Sequence, residues 1–139
     1  MATRINVIPA SEFIVATGHG EVDFGETRAH FMKIMKAAAL VPSAHVLVDV
    51  REATSQMAPF EVYSLVTVFS EMEPPFSGRL AIVNRPKHDF DRAEFFSLAA
   101  RVQGFQVAAF QDYEEAIHWL YPPHPLDTEI IRLTDVKAK

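Results

Sequence analysis

The sequence predicts an α/β domain: a small mixed, mostly parallel sheet of about five strands, with four helices largely on one face. Three observations carry that prediction. Short β-branched or continuously apolar runs alternate with stretches of helical period, in the order β-β-α-β-α-β-α-β-α. Two of the runs, His45–Val50 (HVLVDV) and Arg79–Asn84 (RLAIVN), are apolar almost throughout, the pattern of strands covered on both faces. The helical stretches open on capping residues or proline and stop at proline or glycine.

Arg4–Ile8 and Phe13–Thr17 are the first two strands, joined through Pro9-Ala10-Ser11 and so paired as a hairpin. Gly18 and Gly20 are expected to end the second strand. The first helix is capped by Asp23, with Glu26 at the capping-box spacing. Its inner face is Phe31, Ile34, Met35 and Ala38, at i, i+3, i+4 and i+7, and Pro42 closes the segment. The second helix opens at Pro59, which has no N–H to leave unpaired. Val62, Leu65, Val66 and Phe69 form its inner face, and Glu73-Pro74-Pro75 ends it. The third helix has Asp91 and Glu94 at the capping-box spacing and a predicted stripe of Phe95, Leu98, Ala99 and Val102. Gly104 stands where a left-handed C-terminal residue is wanted, and Arg101 suits the negative end of the dipole. Phe105–Phe110 (FQVAAF) is the last clear strand. The fourth helix repeats the Asp/Glu device with Asp112 and Glu115, and turns Ala116, Ile117 and Leu120 inward beside Trp119. Pro122, Pro123 and Pro125 stop it, so the domain spans residues 1–121 and a Pro-rich turn and tail occupy 122–139.

A chain of 139 residues fits one domain that buries roughly two-thirds of its unfolded surface, so it needs neither disulfide nor metal to fold. The composition is 49% apolar with 11 Phe, enough for a real core. Thirteen basic residues against 18 acidic ones give a net charge of −5, which disfavours a nucleic-acid partner. The absence of cysteine excludes thiol catalysis and Cys-ligated metals. MATRINVIPASEF has neither the basic start nor the apolar core of a signal peptide, and no run approaches the ~20 apolar residues of a membrane span. A cytoplasmic protein is expected.

The chemically suggestive stretch is Val46–Val62, VLVDVREATSQMAPFEV. A phosphoacceptor Asp at a strand end needs an acidic pair to hold Mg²⁺ and a late Lys. Thr17-Gly18-His19-Gly20 and Phe110-Gln111 supply neither. Asp49 is therefore read as accepting hydrogen bonds from the loop that follows. Thr54 and Ser55 lie ahead of the second helix, where loop capping is the ordinary role of a hydroxyl and regulatory phosphorylation the special one. The six histidines form neither HxxxH nor HExxH, and His118 with His124 lacks a third ligand, so no metal is expected. No GxSxG, P-loop or GxGxxG is present, and five glycines leave little for a phosphate cradle. No enzymatic activity and no cofactor are expected. At the strand ends, His19, Asp49, Arg51 and Asn84-Arg85 form a set suited to an anion. Phe60 and Tyr63 lie off the inner stripe of the second helix, and Phe96 off that of the third. An apolar groove between these helices would suit a lipid or a partner helix; the plainer reading is bulky cover for a thin sheet.

The element order, VLVDV leading into Arg51-Glu52, the strand RLAIVN and the ending FQDYEEAIHWL together resemble the SpoIIAA-like branch of the STAS superfamily, over roughly Arg4–Leu120. STAS domains include anti-sigma-factor antagonists and the cytoplasmic domains of anion transporters. In the antagonists a serine at the start of a helix is phosphorylated by the partner kinase, which switches binding. The matching place here falls on Ala58 and Pro59, so the resemblance implies a regulatory binding module without that switch. Some SpoIIAA-like proteins resemble CRAL-TRIO lipid carriers in shape, which implies an apolar groove.

Three functions fit these residues and stay open at this point. The leading one is a non-enzymatic module that binds a protein partner through Asp49, Arg51, Glu52, Thr54 and Ser55, around the loop Arg51–Pro59 and the second helix. The alternative is a carrier of a lipid-like small molecule in a groove at Phe60, Tyr63 and Phe96. The third is an enzyme acting through His19, Asp49 and Arg85. A second copy of the chain is a further candidate partner.

Overall fold

The apolar runs assemble into one five-stranded sheet whose spatial order is the sequence order. The computed structural model describes residues 2–8, 13–40, 45–55, 57–72, 75–85 and 90–121. The tail assigned to 122–139 lies outside them. The strands are β1 (Ala2–Ile8), β2 (Phe13–Val22), β3 (His45–Ser55), β4 (Arg79–Val83) and β5 (Gln106–Phe110). The helices are α1 (Phe24–Ala39), α2 (Pro59–Ser64), α3 (Thr67–Ser70), α4 (Phe90–Val102) and α5 (Tyr113–Leu120). β1 pairs antiparallel with β2, as the turn signal predicted, and β2 to β5 are parallel.

Crossovers of one hand that always step the same way put their helices on one face of a sheet. The core follows that rule. Ile14, Val46, Leu80 and Val107 stand in register across β2 to β5 and pack with Phe31, Val62, Phe69 and Phe96 from α1 to α4. One residue along, Leu47 and Ala81 point the other way and meet Ala116 and Leu120 of α5, which lies across β3, β4 and β5. Side-chain alternation serving two covered faces explains why HVLVDV and RLAIVN are apolar almost throughout.

Local chemistry sets several boundaries. Asp23 Oδ1 accepts from the Glu26 N–H at 2.8 Å and Glu26 Oε1 accepts from the Asp23 N–H at 3.5 Å, so the predicted box caps α1. Gly104, at φ 96°, lets the Phe105 N–H turn back to the Ala100 carbonyl at 3.1 Å and closes α4. The device predicted for α5 is incomplete: Asp112 is its N-cap, but its side chain makes no capping bond. α4 starts at Phe90, so Asp91 sits in the first turn rather than at the cap.

Three expectations fail for physical reasons. β2 does not stop at Gly18 and Gly20 but runs to Val22, with Gly20 inside the strand at φ 89°. β3 runs to Ser55, so most of the expected loop Arg51–Pro59 is strand. Both changes come from one bulge: pairing skips from Thr17↔Asp49 to His19↔Glu52, leaving Val50 and Arg51 opposite Gly18. Gly18, one of the glycines that read as a strand end, stands opposite that bulge. The second helix is broken into α2 and α3, because the N–H groups of Leu65 and Val66 bond three residues back, to Val62 at 3.1 Å and Tyr63 at 3.0 Å, in 3₁₀ fashion. Its inner face, Val62, Leu65, Val66 and Phe69, is nonetheless buried as predicted.

A fourth correction is rotational. α4 buries Ala93, Phe96, Ser97 and Ala100, and of the predicted stripe Ala99 alone, whereas Phe95, Leu98 and Val102 are 40%, 56% and 77% exposed. Phe96, placed off the stripe by sequence, is only 5% exposed. Its ring packs edge-on to Phe31 at 5.5 Å, while Ala93, Ser97 and Ala100 are small enough to bring the helix close to its neighbours. Phe96→Ala is therefore expected to cost about 3 kcal/mol of stability and Leu98→Ala about 0.5 kcal/mol or less, read by urea denaturation. The opposite ranking would mean that the other stripe faces the core.

Candidate ligand-binding site

The helix layer does not fill the space above the sheet. A cavity of about 150 Å³, partly open to solvent, lies between β2, β3 and β4 and the helices α1, α2 and α4. Ala16, Val48 and Ile82, neighbours in register, form its floor. Phe31, Val62 and Phe96 form its walls. The void has a cause in residue size. Ala16, Gly18 and Ala53 are small side chains on the sheet, and Ala93 is the α4 residue above them. It reaches the carboxyl ends of the strands, where ligands of open α/β sheets usually sit.

The few polar groups on its lining are informative. Asn84 follows β4 on the same side of the sheet as Ile82 and is 4% exposed. Its N–H donates to the Phe110 carbonyl at 3.0 Å, which fixes its backbone, but its side-chain Oδ1 is buried with no partner. His30, on α1, has a buried and equally unpartnered Nδ1. Arg92 of α4 donates from Nε to the Met57 carbonyl at 2.9 Å, tying the entry to α2 onto α4. No carboxylate lines the cavity among the described residues.

Asp49 belongs to the other side. In register with Thr17 and Val83, it points toward α5 and is held by a residue of its own strand. Arg51 donates from Nε to Oδ1 at 2.9 Å and from Nη2 to Oδ2 at 2.7 Å, and its N–H donates to Oδ1 at 3.1 Å. The guanidinium also lies 5.2 Å from the centre of the Tyr113 ring, so the pair seals the edge of α5. Burial pushes the Asp49 carboxyl up, but the side-chain and backbone bonds from Arg51, with its charge, outweigh burial and hold it below its usual range. The hydrogen bond to Asp49 in turn raises Arg51. Sequence gave Asp49 the role of an acceptor for the following loop; it is an acceptor, for the following strand.

No protein-family model matches the sequence, and no curated protein matches it either. Among solved structures, the chain is similar to an uncharacterised protein of the DUF3478 family with a SpoIIAA-like fold from Shewanella loihica PV-4. The TM-score is 0.54 at 15% identity, over 85% of this chain and 93% of that one. The fold is SpoIIAA-like.

On this SpoIIAA-like frame the predicted site residues part company. Asp49 and Arg51 pair beneath α5, while Glu52 and Thr54 are exposed on the extended end of β3. Ser55 is the last residue of β3, and its side chain lies outside the described set. Phe60 and Tyr63 project outward from α2, and only Phe96 lines the cavity. Among the described residues, no hydrogen bond or ion pair joins His19, Asp49 and Arg85. Ala58 is the N-cap of α2 and Pro59 its first residue. Ala58 has no side-chain acceptor, so only half a capping box exists, with Glu61 Oε1 accepting from the Ala58 N–H at 2.9 Å. The place the resemblance gives to a phosphorylated serine thus carries no hydroxyl. No helix among the described residues is long and apolar enough to cross a membrane, and no group of three His, Asp or Glu among them could hold a metal.

Sequence reasoning placed Asn84 at a strand end without assigning it to the cavity, and it missed His30, Arg92 and Ala93. The available signals were a polar residue continuing the Leu80–Ile82 face and a histidine four residues before Ile34 on the inner side of α1.

Because the folded-state pKa of Asp49 lies below the unfolded one, its ionised form stabilises the fold at neutral pH. That contribution is lost as pH falls through the ordinary value of 3.8 and on through the lower folded one. Arg51 is 42% exposed, so solvent screening keeps the effect small. Asp49→Asn is expected to lose about 1 kcal/mol at neutral pH, with the gap to wild type closing in acid. Denaturation series across pH measure it; a gap that stays constant into strong acid would show that the carboxylate charge plays no part.

Proposed function

We propose that this protein is a non-enzymatic binding module that holds a small, mainly apolar molecule in the cavity beneath α1, α2 and α4. The observation that carries the reading is the cavity itself, about 150 Å³ of unfilled space under apolar walls. At roughly 24 cal/mol per Å³, a dry void of that size forgoes packing worth about 3–4 kcal/mol, and its partial opening makes this an upper figure. That is a large share of the roughly 5–15 kcal/mol by which a domain is stable. A ligand restores those contacts. Among the described residues, the polar side chains of the lining are Thr17, Thr27, His30, Asn84 and Arg92, set in an otherwise apolar wall.

The geometry favours this over a protein-binding loop because the stretch from Arg51 to Ser55 is largely committed to the sheet. One observation supports a second reading. Phe60 and Tyr63 on α2, and Leu98 and Val102 on α4, are exposed apolar side chains on adjoining helices. They support contact with another protein surface, a second copy of the chain being the simplest.

Native mass spectrometry of gently purified protein is expected to show added small-molecule mass. Ala93→Trp, which fills the cavity from α4, is expected to remove that mass while keeping the far-ultraviolet spectrum of the wild type. A clean apo mass that persists after incubation with small aromatic and alkyl compounds would sink the ligand reading.

A further inference from the structure

We infer that the ligand is a small neutral molecule with one hydroxyl head, phenol-like or alkanol-like, bound head-inward on Asn84. This rests on the ligand-binding reading above and names the ligand's chemistry.

Size limits the body. Apolar cavities of about 150 Å³ take a benzene-sized guest, whereas drug-sized ligands occupy roughly 300–1,000 Å³. The space here belongs to the first class. The enclosed space between Phe31, Val62 and Phe96 takes a benzene-sized part of a guest.

Polarity fixes the head. Buried side-chain oxygens are almost always partnered, and each exception needs an explanation. Asn84 lines the cavity, is 4% exposed and has an Oδ1 with no partner. A hydrocarbon guest would leave that acceptor unpaired. A carboxylate would set acceptor against acceptor. A hydroxyl donates to Oδ1 and keeps lone pairs for a further donor. A hydroxyl remains a partner if the carboxamide is turned over, because it accepts from the NH₂ group as readily as it donates to the oxygen; the objection to a carboxylate holds for the orientation in which Oδ1 faces the cavity. The unpartnered His30 Nδ1 in the α1 wall fits the same partner, since a neutral imidazole nitrogen either donates to a hydroxyl or accepts from one.

Charge disfavours an amine head. Among the described residues, no carboxylate on the lining would neutralise an amine. Arg92 is the one arginine or lysine on the lining among the described residues, and its Nε is bonded to the Met57 carbonyl at 2.9 Å.

Titration calorimetry with phenol, toluene and benzoate on wild type, Asn84→Leu and Ala93→Trp tests the inference. Phenol is expected to bind and benzoate not to. The phenol-to-toluene affinity ratio is expected to fall roughly tenfold in Asn84→Leu, and Ala93→Trp to bind neither. An independent readout needs no variant: the Asn84 side-chain amide resonances of wild type should shift with phenol and not with toluene. If toluene binds and neither the ratio nor those resonances respond, the head assignment is wrong and the cavity reading stands. If benzoate binds more tightly than phenol, the neutral head is overturned. If neither phenol nor toluene binds, the ligand reading itself falls.

Discussion

Phe69 organises the helix layer by touching four other rings. It meets Phe31 of α1 edge-on at 5.3 Å and stacks on Phe105, just ahead of β5, at 4.6 Å. Phe76 and Phe96 complete the set at 5.8 and 5.9 Å. Each such pair is worth about 0.5–1.5 kcal/mol beyond the area it buries. Rings from α1, α3 and α4 are thereby locked to one another as well as to the sheet. Two of them, Phe31 and Phe96, turn their other edges to the cavity. The cluster that holds the helices together is therefore also what keeps the cavity from collapsing, because neither ring can swing inward without breaking its contacts to Phe69.

The bulge in β3 does the complementary work on the sheet. A strand alternates its side chains between two faces, and one extra residue resets that alternation. Before the bulge, Val46 and Val48 face the helix layer and Leu47 and Asp49 face α5. Val50 and Arg51 then stand opposite Gly18, and Ala53 returns to the cavity side. The extra residue thus turns Ala53, rather than the charged Glu52, to the cavity, while Asp49 and Arg51, two residues apart, stay paired on the α5 side. A charged pair on the cavity side would have carried water with it and removed the driving force for an apolar guest.

What was legible in the sequence was what local chemistry decides. Asp23 and Glu26, Gly104, Pro59 and the α1 stripe of Phe31, Ile34, Met35 and Ala38 each act within a turn or two of chain, and the structure uses them as read. The rotation of α4 was not legible, since Phe95-Leu98-Ala99-Val102 and Ala93-Phe96-Ser97-Ala100 both have helical spacing. The first is the more hydrophobic, yet the second fits beside Phe31 and Phe69, rings some 30 to 60 positions earlier in the chain. The reach of β3 was hidden for a similar reason: Gly18 and Gly20 read as a strand end until the register shows Gly18 opposite a bulge and Gly20 paired with Ala53. The cavity was the least legible feature, because a void is a relation among Ala16, Ala53 and Ala93 that no window of sequence contains.

An unfilled cavity in the helix layer also decides where occupancy is felt. The floor belongs to a sheet fixed by ladders on β2, β3 and β4 and backed by α5. The walls belong to α1, α4 and the short α2, whose entry is tied to α4 by the Arg92 bond to Met57. A guest at a hundred times its dissociation constant adds roughly 2.7 kcal/mol by mass action. That is close to the 3–4 kcal/mol of packing that a void of this size forgoes. On the proposed ligand reading, binding on that scale would tighten the helix layer rather than the sheet. The difference between empty and filled protein then lies in how firmly α2 and α4 are held, and these are the two helices whose outer faces present Phe60, Tyr63, Leu98 and Val102 to their surroundings.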